Sequence, residues 1–209
     1  MLKFYFACLL IISSSFSSFA QNDPNAKKVI DAFGTQVKNS KGIIANFTLK
    51  SISSKGRSNG SKSLTLAMRG EKYNLKQGAT EIICDSKNVY NFDGNKTITK
   101  SAVEESSQTL SPQKLLAGSY DKDFTYKLVS SKGRYHEIEM TPLDNRKNFQ
   151  KVNLFFSKGN SALAKASILD KSNNITELIV NKINLKATVA DALFVFNKAN
   201  YPKDVEILD

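Results

Sequence analysis

The 209-residue sequence contains one histidine, no tryptophan and two cysteines, and each shortage removes a class of function. A Ser-His-Asp site would have to be built on His136, and no Gly-x-Ser-x-Gly elbow is present to supply its nucleophile. One His and two Cys cannot assemble a spaced zinc quartet. There is no Asp-x-Asp-x-Asp-Gly calcium loop and no Gly-x-x-x-x-Gly-Lys-Ser/Thr phosphate loop. The expectation is a protein that is not an enzyme and holds no metal or cofactor. Long apolar runs are also missing: the best, Phe4 to Ile12, is far short of the roughly 20 residues a helix needs to cross a bilayer.

That run has a different meaning. It follows Lys3 and leads into small residues ending at Ala20, the layout of a cleavable secretory signal with its cut between Ala20 and Gln21. Residues 1–20 are therefore expected to be removed, leaving residues 21–209 as a single domain outside the cytoplasm. Cys8 leaves with the signal, so Cys84 stands alone and no intramolecular disulfide can form. Within the apolar run Glu81–Asp85, Cys84 reads as a small packed hydrophobe rather than a reactive thiol.

Charge is abundant and one-sided, with 30 Lys and Arg against 19 Asp and Glu and a formal net charge of +11. The lysines are spread over almost every segment and form no basic tail, which argues against nucleic acid as a partner. Two readings stay open: a solvated basic surface, or steering toward anionic membranes and acidic proteins.

The patterning after Ala20 begins with a helix. Asp23 and Pro24 are start signals, Ala26, Val29, Ile30, Phe33 and Val37 recur at three and four residues, and Asn39 to Gly42 is a stop. From Ile43 the period changes to two, and strands are expected near 43–55, 61–69, 71–77, 79–85, 88–92 and 96–101. Ser111, Pro112, Leu115, Leu116 and Gly118 mark a short inserted helix with a cap, a first-turn proline and a terminal glycine. Strands resume near 123–131, 134–141, 150–157, 162–169 and 174–184. A helical turn at Val189–Ala192 and a strand at Leu193–Phe196 close the pattern.

About eleven strands are too many for a flat sheet, which tends to curl near ten. The fold class is thus mainly β (α+β): a curved antiparallel sheet forming an open half-barrel with an α-helical lid over its apolar concave face. The mouth of such a barrel favours an apolar ligand. Alternation places His136 with Ile138 and Met140 on one face of its strand, as a packed residue rather than a base. Arg69, at a strand end beside Gly70, reads either as a solvated charge or as a fork of donors to backbone carbonyls of a covering helix.

The segments Arg69-Gly70-Glu71-Lys72-Tyr73-Asn74-Leu75 and Ile82-Ile83-Cys84-Asp85-Ser86-Lys87-Asn88-Val89-Tyr90-Asn91-Phe92 resemble the periplasmic outer-membrane lipoprotein carriers of the LolA type. The resemblance extends through Phe47, Leu115-Leu116-Ala117, Met140-Thr141-Pro142 and Phe194-Val195-Phe196, and lies in the order of these segments rather than in any one of them. Gly70 stands where that family prefers proline, Leu75 where it prefers an aromatic and Ser86 where it prefers glycine, so the resemblance is to a divergent member. It implies a monomeric periplasmic chaperone. Such a protein receives lipidated proteins from an inner-membrane lipoprotein-releasing transporter, shields their acyl chains, and passes them to an outer-membrane acceptor. It also implies Arg69 as a lid-gating residue. The acyl-chain cavity is then expected to draw on Phe47, Leu49, Leu64, Leu66, Tyr73, Ile83, Tyr90, Leu115, Leu116, Leu154, Phe156 and Ile179, each of which also suits an ordinary core. The departures leave room for a related carrier or sensor of another lipid or glycolipid.

Overall fold

The computed structural model describes residues 22–103, 110, 112–118 and 120–209. The expected signal, residues 1–20, and the expected cap Ser111 lie outside the described residues. The chain runs through helix α1 (Pro24–Lys38), strands β1 (Ile43–Ile52), β2 (Ser58–Arg69), β3 (Lys72–Gln77), β4 (Thr80–Cys84), β5 (Asn88–Phe92) and β6 (Thr97–Ala102), and then helix α2 (Pro112–Leu116). It continues through β7 (Phe124–Ser130), β8 (Tyr135–Pro142), β9 (Phe149–Ser157), β10 (Leu163–Asp170), β11 (Ile175–Asn184) and β12 (Glu206–Leu208).

Helix α1 starts where its sequence signals place it. The Asp23 carboxylate accepts from the Asn25 backbone N–H at 2.8 Å, Pro24 occupies the first turn, and Ala26, Ile30 and Phe33 are buried along one stripe.

All twelve strands form one open sheet in the order β12-β6-β5-β4-β3-β2-β1-β11-β10-β9-β8-β7, antiparallel except where β12 runs parallel to β6. Strict alternation drives one set of side chains inward: Ile43, Ala45 and Phe47 on β1, Leu64, Leu66 and Met68 on β2, and Val152, Leu154 and Phe156 on β9. Register shifts, such as that between Asn46 and Phe47, supply local bends, and the sheet is an open half-barrel whose concave face carries the main core. Helices α1 and α2 lie over that face as a lid, contributing Ala26, Ile30, Phe33, Leu115 and Leu116 to the same cluster.

The end of the chain departs from expectation. Leu193–Phe196 is not a strand: a short 3-10 helix spans Asp191–Phe194, a second spans Lys198–Asn200, and the last strand is β12. The alternation of Phe194 and Phe196 reflects packing onto the convex face of the sheet, with no strand beside them to pair with. Ala187, Val189 and Phe194 form a second, smaller apolar cluster there against Ala67. The segment from Ala187 to Asp209 is thus a strap across the outside of β2–β6, ending as an edge strand.

Candidate functional site

Beneath the lid, the concave face is apolar and closely packed. Phe47, Leu66, Leu154 and Phe156 are fully buried, Leu64 nearly so, and Leu49 and Tyr73 pack half-buried against the same cluster. Burial pushes the Tyr73 hydroxyl up to about 12. From the lid side, Phe33 meets Phe156 with ring centroids 5.5 Å apart, and Leu115 and Leu116 of α2 are buried. Tyr120, also buried, donates its hydroxyl to the Leu115 carbonyl at 2.6 Å and so ties the end of α2 to the segment that follows. Nine expected cavity residues, Phe47, Leu49, Leu64, Leu66, Tyr73, Leu115, Leu116, Leu154 and Phe156, therefore share one apolar space.

The two lid helices are held very differently. The start of α1 is stitched to edge strand β7: the Asp23 N–H donates to the Tyr126 carbonyl at 3.1 Å, Asn22 Oδ1 accepts from Tyr126 N–H at 2.9 Å, and Asp23 Oδ2 accepts from Leu128 N–H at 2.9 Å. Those N–H groups, Leu128 first and then Asn25, hold the Asp23 carboxyl below its ordinary range. Asp121 adds a second clamp, accepting from Tyr126 Oη at 2.5 Å and pairing with Lys27 at 3.3 Å. By contrast, α2 has five residues and meets α1 across a seam of two glycines. A Cβ on Gly34 would lie 2.4 Å from the Gly118 carbonyl oxygen, and one on Gly118, whose φ is +67°, would lie 2.5 Å from Gly34 Cα. The seam opens into a cleft of about 600 Å³ lined by Asp31, Thr35, Val37, Lys38 and Ala117 together with the two glycines.

Four expected site residues fall elsewhere. Met68 faces the core, so Arg69, one residue on, faces the convex side. There its Nη1 donates to the Val189 carbonyl at 3.3 Å, its guanidinium pairs with Asp191 and stands 5.7 Å from the Phe194 ring centroid. Its described contacts are with the strap rather than with α1 or α2, the helices that the expected lid-gating role would have it meet. Ile83 and Tyr90 are in register with Asn74, on the outward row, and Tyr90 stacks on Phe196 at 4.4 Å. Ile179 is paired with Thr48 and Lys165, while its neighbours Leu178 and Val180 turn inward. Consecutive apolar residues such as Ile82-Ile83 and Leu178-Ile179-Val180 give alternation no sign, so either face was open to them.

Residues that pattern reading passed over hold the strap and the seam. Asn74, buried in mid-strand, donates to Glu81 Oε1 at 2.7 Å and to the Leu193 carbonyl at 3.0 Å; Tyr201 Oη donates to Glu81 Oε2 at 3.0 Å. The signal for Asn74 was an asparagine inside a strand, where that residue is depleted. Gly34 carried a signal too, since a glycine in mid-helix costs about 1 kcal/mol against alanine and calls for a packing reason. His136 is half-buried, with Nδ1 at 2.8 Å from Ser131 Oγ. Among the described residues no group of three His, Cys, Asp or Glu is placed to hold a metal ion, and no helix is long and apolar enough to cross a membrane.

The family model described as outer membrane lipoprotein carrier protein LolA matches residues 38–197. No curated protein matches the chain. Among solved structures, an uncharacterized conserved protein from Thermus thermophilus shares the fold, with a TM-score of 0.56 at 12% identity over 88% of this chain and 98% of its own. A LolA superfamily protein from Nitrosomonas europaea is similar with a TM-score of 0.46 at 12% identity, over 82% of this chain and 97% of its own. The lipoprotein LppX of Mycobacterium tuberculosis is similar with a TM-score of 0.45 at 14% identity, over 81% of this chain and 100% of its own.

Proposed function

This chain belongs to the LolA family of outer-membrane lipoprotein carriers, and from that premise we propose that it shields the acyl chains of lipidated proteins between the concave sheet face and the α1–α2 lid. The observation that carries the reading is the unequal lid: an apolar concave core covered on one side by a clamped helix and on the other by a five-residue helix. Magnitudes favour exchange. Undocking α2 withdraws Leu115 and Leu116, at about 1.5–3 kcal/mol each. A chain of some sixteen carbons returns about 0.8 kcal/mol per buried CH₂, on the order of 12 kcal/mol. The acyl chain therefore competes successfully for the space that α2 fills, and α2 returns when the chain departs. Release stays feasible because the lid's own burial opposes the cargo's.

In this reading residues 1–20 direct export and are removed, and the mature chain works in the periplasm without performing chemistry on its cargo. It takes lipoproteins from an inner-membrane releasing transporter and gives them to an outer-membrane acceptor. Purification of the mature chain from cells that make lipoproteins, followed by intact mass spectrometry, tests this. Acylated polypeptide bound in a fixed ratio supports the proposal. Acyl lipid with no attached polypeptide would replace it with a carrier of another lipid, and a reproducibly empty protein would remove it.

A further inference from the structure

A second cleft, of about 370 Å³, lies between α1 and the β7–β8 side of the mouth. Its α1 wall is the stripe Asn25, Lys28, Val29 and Ala32, adjacent to the buried stripe, and Leu128 and His136 face it from the sheet. His136 is in register with Phe156, the residue on which Phe33 of the lid packs, so the cleft borders the concave core. Val29 and Leu128, both half-buried against that core, give it an apolar side continuous with the space under the lid.

On its β8–β10 side the rim is cationic. Ser161 is followed around the mouth by Lys158, whose N–H donates to the Arg134 carbonyl at 3.0 Å and whose ammonium reaches the Ser131 carbonyl. The 131–136 and 158–161 segments carry Lys132, Arg134, Lys158 and His136 and no acid. The carboxylates on these elements are engaged: Asp23 accepts from the Leu128 and Asn25 N–H groups at 2.9 and 2.8 Å, Asp31 pairs with Lys27 at 3.1 Å, and Glu137, on the opposite side of β8, accepts from Asn153 Nδ2 at 2.8 Å. Ser131 takes up His136 Nδ1, which makes Nε2 the ring donor whenever the hydroxyl donates.

We propose that this cleft seats the anionic headgroup of an acyl amphiphile, carboxylate or phosphate, with Lys28 and His136 as its donors and the attached chain passing Val29 and Leu128 toward the concave core. Charge complementarity selects the occupant: an apolar wall alone would take a neutral lipid as readily, whereas Lys28 and the cationic 131–136 and 158–161 segments, with Asp23 already satisfied by backbone N–H groups, favour an anion. The proposal rests on the carrier reading for where the chain goes, and adds the site that fixes its charged end.

Titration of the mature chain with dodecyl phosphate, dodecanoate and the neutral dodecyl maltoside tests it. Both anionic ligands are expected to bind about tenfold more tightly than the maltoside, the scale of one charge-assisted contact. In the double variant Lys28→Gln/His136→Asn that preference is expected to vanish while maltoside binding is unchanged. A control, Lys182→Gln/Lys186→Gln, removes charge from β11 and the segment after it and should keep the preference. Preference for one anion alone would assign the headgroup to that class. Equal binding of all three ligands, or equal loss of preference in both variants, would overturn the headgroup site and leave the carrier reading standing. Failure to bind any of the three would overturn both.

Discussion

Gly34 and Gly118 decide how tightly the lid can close. Replacing a mid-helix glycine with alanine ordinarily gains about 1 kcal/mol. At Gly34 the new Cβ would meet a backbone carbonyl oxygen at 2.4 Å, which has no side-chain freedom with which to yield. The steric term wins, and Gly34→Ala is expected to destabilise the protein by about 1–3 kcal/mol, the usual cost of overpacking. Thermal denaturation reads this directly; a raised melting temperature would show that the two helices do not meet in solution. Glu81 sets a pH limit on the strap. Burial pushes its carboxyl up, but hydrogen bonds from Asn74, Tyr201 and Lys76 outweigh that and hold it below the ordinary value of 4.5. A carboxylate held low contributes stability that is complete above 4.5 and is lost as pH falls through its depressed value. Protection of the amides of residues 190–201, taken relative to their intrinsic exchange at each pH, is therefore expected to fall below pH 4.5, and in Glu81→Gln to lose that dependence.

At the scale of elements, Arg69 bonds to the strap, whereas the family resemblance implied a place for it at the lid. Arg69→Leu removes one backbone hydrogen bond, one half-exposed ion pair and a ring contact, together worth about 1 kcal/mol. Its expected effect is faster exchange at residues 189–196 with the amides of α1 and α2 unchanged; the reverse pattern would restore a lid role. Helix α1 and the β-meander were legible in the sequence because capping residues and a strict period of two leave few alternatives there. The strap was not. Phe194 and Phe196 alternate as a strand would, but the contacts that order them, from Asn74, Tyr90 and Glu81, lie over a hundred residues away. For the same reason, the sequence marked Ile83 and Tyr90 as apolar without saying that the convex face also has a cover at β4 and β5.

As a whole, the molecule is a sheet covered by two different parts of the chain: its concave face by α1 and α2, and its convex face over β2–β6 by the strap. Fold class and the inward face of β1, β2 and β9 could be read from patterning, since burial on one face imposes it. The clamp on the start of α1 could not, because its partners Tyr126 and Leu128 lie about a hundred residues away. The central claim is that acyl chains enter beneath the lid and not under the strap. A palmitoylated lipopeptide carrying a photoreactive diazirine at mid-chain, bound, irradiated and mapped by mass spectrometry, tests it most directly. The account predicts crosslinks to Phe47, Leu66, Leu115 or Phe156; crosslinks confined to Ile83, Tyr90 or Phe196 would contradict it.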